Sequence, residues 1–335
     1  MSDWNEFMKR KKKNILHTII GVLVGVLFLF LTLRNKPLDR IWESITQAKW
    51  LYVILTGIFL LITFILRALR WRILIHNLGY DVKKRHIITS TVMGYFVNSF
   101  TPKLGEVVRC ATLQKTTSVP LAKSFGSVVS ERIYDLLVLG LGLLTLFILE
   151  FDRLIGLFNT YLENQSTNPK ETFFESNYLY FIIAFVVLLA IGYFAISKGY
   201  HVKLKKILEE ILMAIKQTLY LKKYRQFLIL TILIWIVLIS MNYFALKALP
   251  ATNGKGWYFA VIVLFVGGIG WALPTPGGIG TTHYLIYQLF YIFNFDPNAG
   301  VSFGVLSNGL TFIYTLLIGF VILFYLLLRR KELVS

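Results

Sequence analysis

The run Trp50-Leu-Tyr-Val-Ile-Leu-Thr-Gly-Ile-Phe-Leu-Leu-Ile-Thr-Phe-Ile-Leu66 holds no charged residue, and Arg67-Ala-Leu-Arg70-Trp71-Arg72 follows it at once. A hydrocarbon core about 30 Å thick selects such an apolar helix with cations and aromatics at its edge. Other long, largely apolar runs are Ile15–Leu33, Leu121–Leu149, Tyr178–Ser197, Phe227–Leu249 and Gly300–Leu328. The whole chain of 335 residues is 56% hydrophobic and only 16% charged, with a mean hydropathy of +0.65. No polar segment is long enough to fold as a separate soluble domain. The expected fold is all-α: a polytopic integral membrane protein with a single transmembrane domain over residues 1–335. About eight transmembrane helices are expected, with one or two re-entrant or broken segments.

A net charge of +18 would point to nucleic acid in a soluble protein. Here the basic residues flank apolar runs, so the positive-inside rule and anionic headgroups account for them, and no nucleic-acid partner is expected. The single cysteine, Cys110, excludes an internal disulfide and a cysteine-based metal site. No cofactor is expected.

Outward from Trp50, Pro37–Lys49 reads as a short outer amphipathic segment with Ile41, Trp42 and Ile45 on one face. Residues 1–13 are basic and expected in the cytoplasm. Ile15–Leu33 is too long for a signal-peptide core and lacks a small-x-small cleavage site, so it reads as an uncleaved span. The Arg67–Arg72 cluster has two readings, an interface anchor of snorkelling arginines or a lipid-phosphate contact at residues such as Arg70.

From Arg67 to Lys123 there are ten Lys/Arg against only Asp81 and Glu106. Were His86–Phe100 a full crossing, Lys103, Arg109, Lys115 and Lys123 would face outside, against the charge rule. A re-entrant segment over 86–109, entering and leaving on the cytoplasmic side, avoids that. Phe151–Asn177 reads as an outer loop. Residues 198–225 carry eight basic residues and an apolar stripe at helical spacing, as an amphipathic helix on the inner leaflet would. Arg329-Arg330-Lys331 places the C-terminus inside, so both termini are expected in the cytoplasm of a multi-pass cell (inner) membrane protein.

Within this apolar frame one polar interruption stands out, Asn98-Ser-Phe-Thr-Pro102-Lys-Leu-Gly105-Glu106-Val-Val-Arg109. Pro102 disfavours helix at Thr101, Gly105 loosens the backbone, and Glu106 and Arg109 share a helical face at i, i+3. A second interruption over 274–283, Pro274-Thr-Pro276-Gly277-Gly278-Ile-Gly280-Thr-Thr-His283, lies between Trp257–Leu273 and Tyr284–Phe295. Parity leaves open whether 257–295 crosses twice or dips in as a hairpin. Paired breaks in two halves suit a transporter built as an inverted repeat, although the match is a few residues long.

These segments, with Glu131-Arg132-Ile-Tyr-Asp135 between them, resemble in order and spacing the transmembrane region of lysylphosphatidylglycerol synthases. In bifunctional members that region is flippase-like and precedes a soluble domain that moves an aminoacyl group from tRNA to phosphatidylglycerol. This chain stops at Ser335 without it, so the resemblance implies a lipid-moving module rather than a synthase. Many relatives carry Glu in the last motif where this chain has His283, which puts a carboxylate role there in doubt.

The ionisable cluster is Glu106, Arg109, Glu131, Arg132 and Asp135. Glu131 and Asp135 are i, i+4 on one face. Charges left in lipid cost at least about 2.5–3.5 kcal/mol each, so partners or water are expected around them. The structural alternative is an internal salt-bridge network that fixes helix packing. The functional reading puts a lipid phosphate on Arg109 and Arg132, oriented by Glu106, Glu131 and Asp135. Asn98, the two breaks and His283 complete the candidate headgroup site. His283 alone reads more simply as a hydrogen-bonded interior histidine. With no Walker motif, scrambling or ion coupling fits better than ATP-driven export. The partner expected is membrane lipid, an anionic phospholipid foremost, with a lipid-modifying enzyme as a further candidate; the sequence leaves the oligomeric state open. Two other classes stay in view: a membrane-embedded enzyme using Glu106 and His283, and a scaffold for an envelope enzyme.

Overall fold

A computed structural model of the protein describes residues 22–34, 36–101, 103–156, 223–273 and 275–328. Every regular element among the described residues is helical. The chain falls into two compact units, residues 1–131 with 222–335, and residues 132–221. The expected span Tyr178–Ser197, most of the amphipathic stretch 198–225, and both basic termini lie outside the described residues.

In the first unit, α1 (Val22–Leu33) and the short α2 (Leu38–Thr46) precede α3 (Trp50–Asn77). Then come α4 (Lys84–Asn98), α5 (Leu104–Thr116) and the start of α6 (Leu121–Leu149). The chain resumes with α7 (Tyr224–Ala248), α8 (Trp257–Ala272), α9 (Thr281–Ile292) and α10 (Pro297–Leu328). Four of these helices, α3, α6, α7 and α10, are long and apolar enough to cross a membrane. On α10 the residues Leu317, Val321, Phe324 and Leu328 form an exposed apolar stripe, a surface suited to hydrocarbon.

α3 differs from its sequence reading in one respect. The apolar run ends at Leu66, yet the helix continues for another eleven residues to Asn77. Arg70 and Trp71 are therefore interior residues, each 0% exposed, and Arg70 is no snorkelling anchor. The helix can continue because Ala68, Trp71 and Ile75 face a core completed by Ile87, Cys110 and Val128. α2 forms over the expected amphipathic segment, but Ile41 turns inward while Trp42 faces out.

α3 and α7 pack as antiparallel neighbours, and the Lys49 N–H donates to the Ala248 carbonyl at one end of the pair (2.8 Å). Against them lie two helical hairpins, α4–α5 and α8–α9, each turning at one of the Pro/Gly breaks. Their helices have 15 and 13 residues, and 16 and 12 residues. At about 1.5 Å per residue, none reaches the roughly 30 Å of a hydrocarbon core alone.

The first hairpin closes on glycine. A Cβ on Gly105 would overlap the Gly94 carbonyl oxygen, and one on Gly94 would come within 2.9 Å of the Gly105 oxygen. Such close approach of small residues gives helices their packing energy where no water drives association. In the second hairpin Gly280 has φ +84 and lies so near the Gly25 carbonyl of α1 that a side chain would clash. Gly280 thus meets both demands that favour glycine.

In the second unit only residues 132–156 are described. There Arg132 Nη1 meets Asp135 Oδ2 at 3.2 Å, and Arg153 Nε meets Glu150 Oε2 at 2.9 Å.

Candidate functional site

Four helices bring their polar residues to one point in the first unit. Glu131 of α6 accepts from Arg70 Nη2 of α3 through Oε1 (2.9 Å) and from Arg109 Nη2 of α5 through Oε2 (2.8 Å). Arg70 and Glu131 are 0% exposed and Arg109 is 2% exposed. From α7, the Thr231 hydroxyl lies 3.4 Å from Arg70 Nη1 and the Phe227 ring 5.7 Å from its guanidinium carbon. One carboxylate is thus shared by two guanidinium groups.

Trp71 completes the arrangement. Its ring lies 3.8 Å from the Arg109 guanidinium carbon, and its indole N–H donates to Ser127 Oγ at 2.8 Å. A desolvated cation–π contact contributes about 2 kcal/mol or more and fixes the plane of the guanidinium. Arg109 still has donors to spare. Its Nε and Nη1 are buried and meet no hydrogen-bond partner among the described residues. Buried donors on a charged group are costly to leave unmet, which marks the Arg109 side of the triad as able to take an anion.

The chain places Arg109 there through the first break. The Asn98 side-chain carbonyl accepts from the Gly105 N–H at 2.8 Å, tying the end of α4 to the start of α5. Glu106 is half-buried in the first turn of α5, where a carboxylate suits the helix dipole. Pro102 lies outside the described residues. Lys103 takes a left-handed conformation (φ 61), and its Nζ donates to the Ala272 carbonyl at the end of α8 (3.0 Å). That bond joins the tips of the two hairpins.

The second break is built on its own hydrogen bonds. Pro276–Gly278 form a 3-10 turn, and Gly277 and Gly278 both have positive φ. Thr281 Oγ1 lies within 3.1 Å of the Gly270 and Gly278 carbonyls and of the Thr275 hydroxyl. His283 is 5% exposed, and its Nδ1 accepts from the Gly280 N–H at 3.3 Å. It therefore closes the start of α9.

Of the expected site residues, the structure joins Arg70, Arg109 and Glu131 directly and places Asn98 and Gly105 in the hairpin that carries Arg109. Pro276, Gly277, Gly278, Gly280 and His283 form the second break. Arg132 and Asp135 pair with each other in the second unit. The sequence reading missed Trp71, Ser127, Thr231 and Lys103. Only Ser127 left a signal, since Ser124, Ser127 and Glu131 fall on one helical face of α6. Among the described residues no three His, Cys, Asp or Glu side chains gather as a metal site would require.

A family model described as the lysylphosphatidylglycerol synthase TM region matches residues 18–319. A UPF0104 membrane protein of Methanocaldococcus jannaschii is 23% identical over 342 residues, covering 96% of this chain and 97% of that protein. A second from the same organism is 28% identical over 240 residues, covering 70% of this chain and 95% of its own length. A UPF0104 membrane protein of Pyrococcus horikoshii is 23% identical over 333 residues, with 94% and 98% covered.

Proposed function

This chain belongs to the lysylphosphatidylglycerol synthase transmembrane-region family, and from that membership we propose that it moves a membrane lipid between leaflets, holding an anionic headgroup at Arg109. The observation that carries the reading is the buried Arg70–Glu131–Arg109 triad, with hydrogen-bond donors on Arg109 unmet among the described residues. A phosphodiester carries one negative charge and oxygens that guanidinium groups bind strongly away from water.

The slow step in lipid translocation is taking the polar headgroup out of water. Here Arg109 supplies replacement hydrogen bonds, Glu131 and Trp71 hold the guanidinium in place, and Arg70 balances the carboxylate. The two short hairpins act as re-entrant segments. Their joined tips provide polar backbone at membrane depth, which is tolerable where it lines a cavity. The acyl chains remain in lipid throughout. With the basic end of α3 on the cytoplasmic side, as the charge rule asks, both chain termini lie in the cytoplasm. The movement proposed is scrambling, in which the lipid passes down its own gradient.

Purified protein in phosphatidylcholine vesicles with a trace of fluorescent phosphatidylglycerol tests the reading. Dithionite should reach the inner-leaflet label when protein is present, and Arg109→Gln should slow that at least ten-fold. Label protected as well with the protein as without it would end the proposal.

A further inference from the structure

A cavity of about 500 Å³ opens between α3 and α7, with no residue of the triad in its lining. From α3 it is lined by Leu69, Arg72, Ile73 and His76, which recur at helical spacing and so form one face. Gln226, Ile229 and Leu230 do the same from α7, Lys223 stands just before that helix, and Asp81 closes one end. The helices run antiparallel, so the C-terminal end of α3 meets the N-terminal end of α7. The polar residues His76, Asp81, Lys223 and Gln226 therefore gather at one end, while Leu69, Ile229 and Leu230 lie deeper along the helices.

The cation in the wall is fixed. Arg72 Nε donates to the Val82 carbonyl at 2.6 Å and its Nη2 to Asp81 at 3.1 Å. Lys223 is exposed and stands just before the first turn of α7, whose N–H groups have no side-chain cap. Those N–H groups and the helix dipole add to the positive field of Lys223 and Arg72. Among the lining residues, the two cations against Asp81 leave the polar end positive by one.

We propose that this groove is a second lipid site, which binds the glycerophosphate of an anionic phospholipid at its basic end and the first methylenes of the acyl chains at its apolar end. The volume is within the roughly 300–1,000 Å³ of small-ligand sites. The ordering of polar and apolar residues matches a molecule with an anionic head and an oily tail, and a free anion would have no use for the apolar half. The site stands whether or not the triad moves lipid, because it asks only for retention.

Photolabelling tests it in the full chain. A phosphatidylglycerol analogue with a diazirine beside its headgroup is placed at low mole fraction in phosphatidylcholine vesicles holding the protein. Label should map to residues 69–76 and 223–230, and Lys223→Gln should lower it about ten-fold, as loss of one charge-assisted contact would. Gln226→Trp, which fills the groove and leaves the charges in place, should lower it equally. The proposal is overturned if label falls only elsewhere or if a phosphatidylcholine analogue labels these segments as strongly. Loss of label on adding inorganic phosphate would also overturn it, and would make the groove a free-phosphate site. Arg109→Gln should leave this labelling unchanged even as it slows translocation, so the two sites fail separately.

Discussion

Glu131 is the residue on which the interior depends, because it answers two arginines with one carboxylate. Glu131→Gln would leave two guanidinium groups buried beside a neutral amide. A broken buried ion pair costs about 3–5 kcal/mol. A large fall in the thermal unfolding midpoint of detergent-purified protein is expected, and a midpoint within a degree of wild type would contradict this account. Trp71→Phe should be milder, since a ring remains over Arg109 while Ser127 loses its indole donor. Its expected cost is about 1 kcal/mol, read in the same unfolding measurement. Arg109 and Glu131 were visible in the sequence because charge inside apolar runs is conspicuous. The burial of Arg70 and Trp71 was hidden. A basic, aromatic cluster after an apolar run has the composition of a membrane interface, and only tertiary packing shows that the helix carries on.

The two hairpins were legible as elements, since Pro and Gly clusters beside apolar runs announce broken helices. Lys103 and Ala272, 169 positions apart, give no periodic sign that they meet. Gly105→Ala forces a methyl group onto the Gly94 carbonyl and should destabilise the protein by about 1–3 kcal/mol. A chemical unfolding curve matching wild type would show that the crossing is looser than described. Lys103→Gly keeps the left-handed turn accessible and removes only the bond to α8. In a Cys110→Ser background, cysteines at 103 and 272 should be joined by a short bis-thiol reagent. Failure to form that bridge would separate the hairpin tips.

For the whole molecule, four long apolar helices and exposed stripes such as Leu317–Leu328 make a multi-pass membrane protein, and membership of the family agrees. This level was the most legible from sequence, because hydropathy and length are properties of the chain itself. The donors left over on the Arg109 guanidinium are a property of the fold, since they depend on which groups Glu131 answers. Those guanidinium donors make headgroup selectivity the sharpest test of the central claim. Translocation rates of fluorescent phosphatidylglycerol and phosphatidylcholine are compared in the same vesicles for wild type and Arg109→Lys, which keeps the charge but loses the guanidinium plane over Trp71. The account predicts faster movement of the anionic lipid by wild type, with most of that preference lost in Arg109→Lys. Equal rates for the two lipids, or a preference untouched by the substitution, would contradict it.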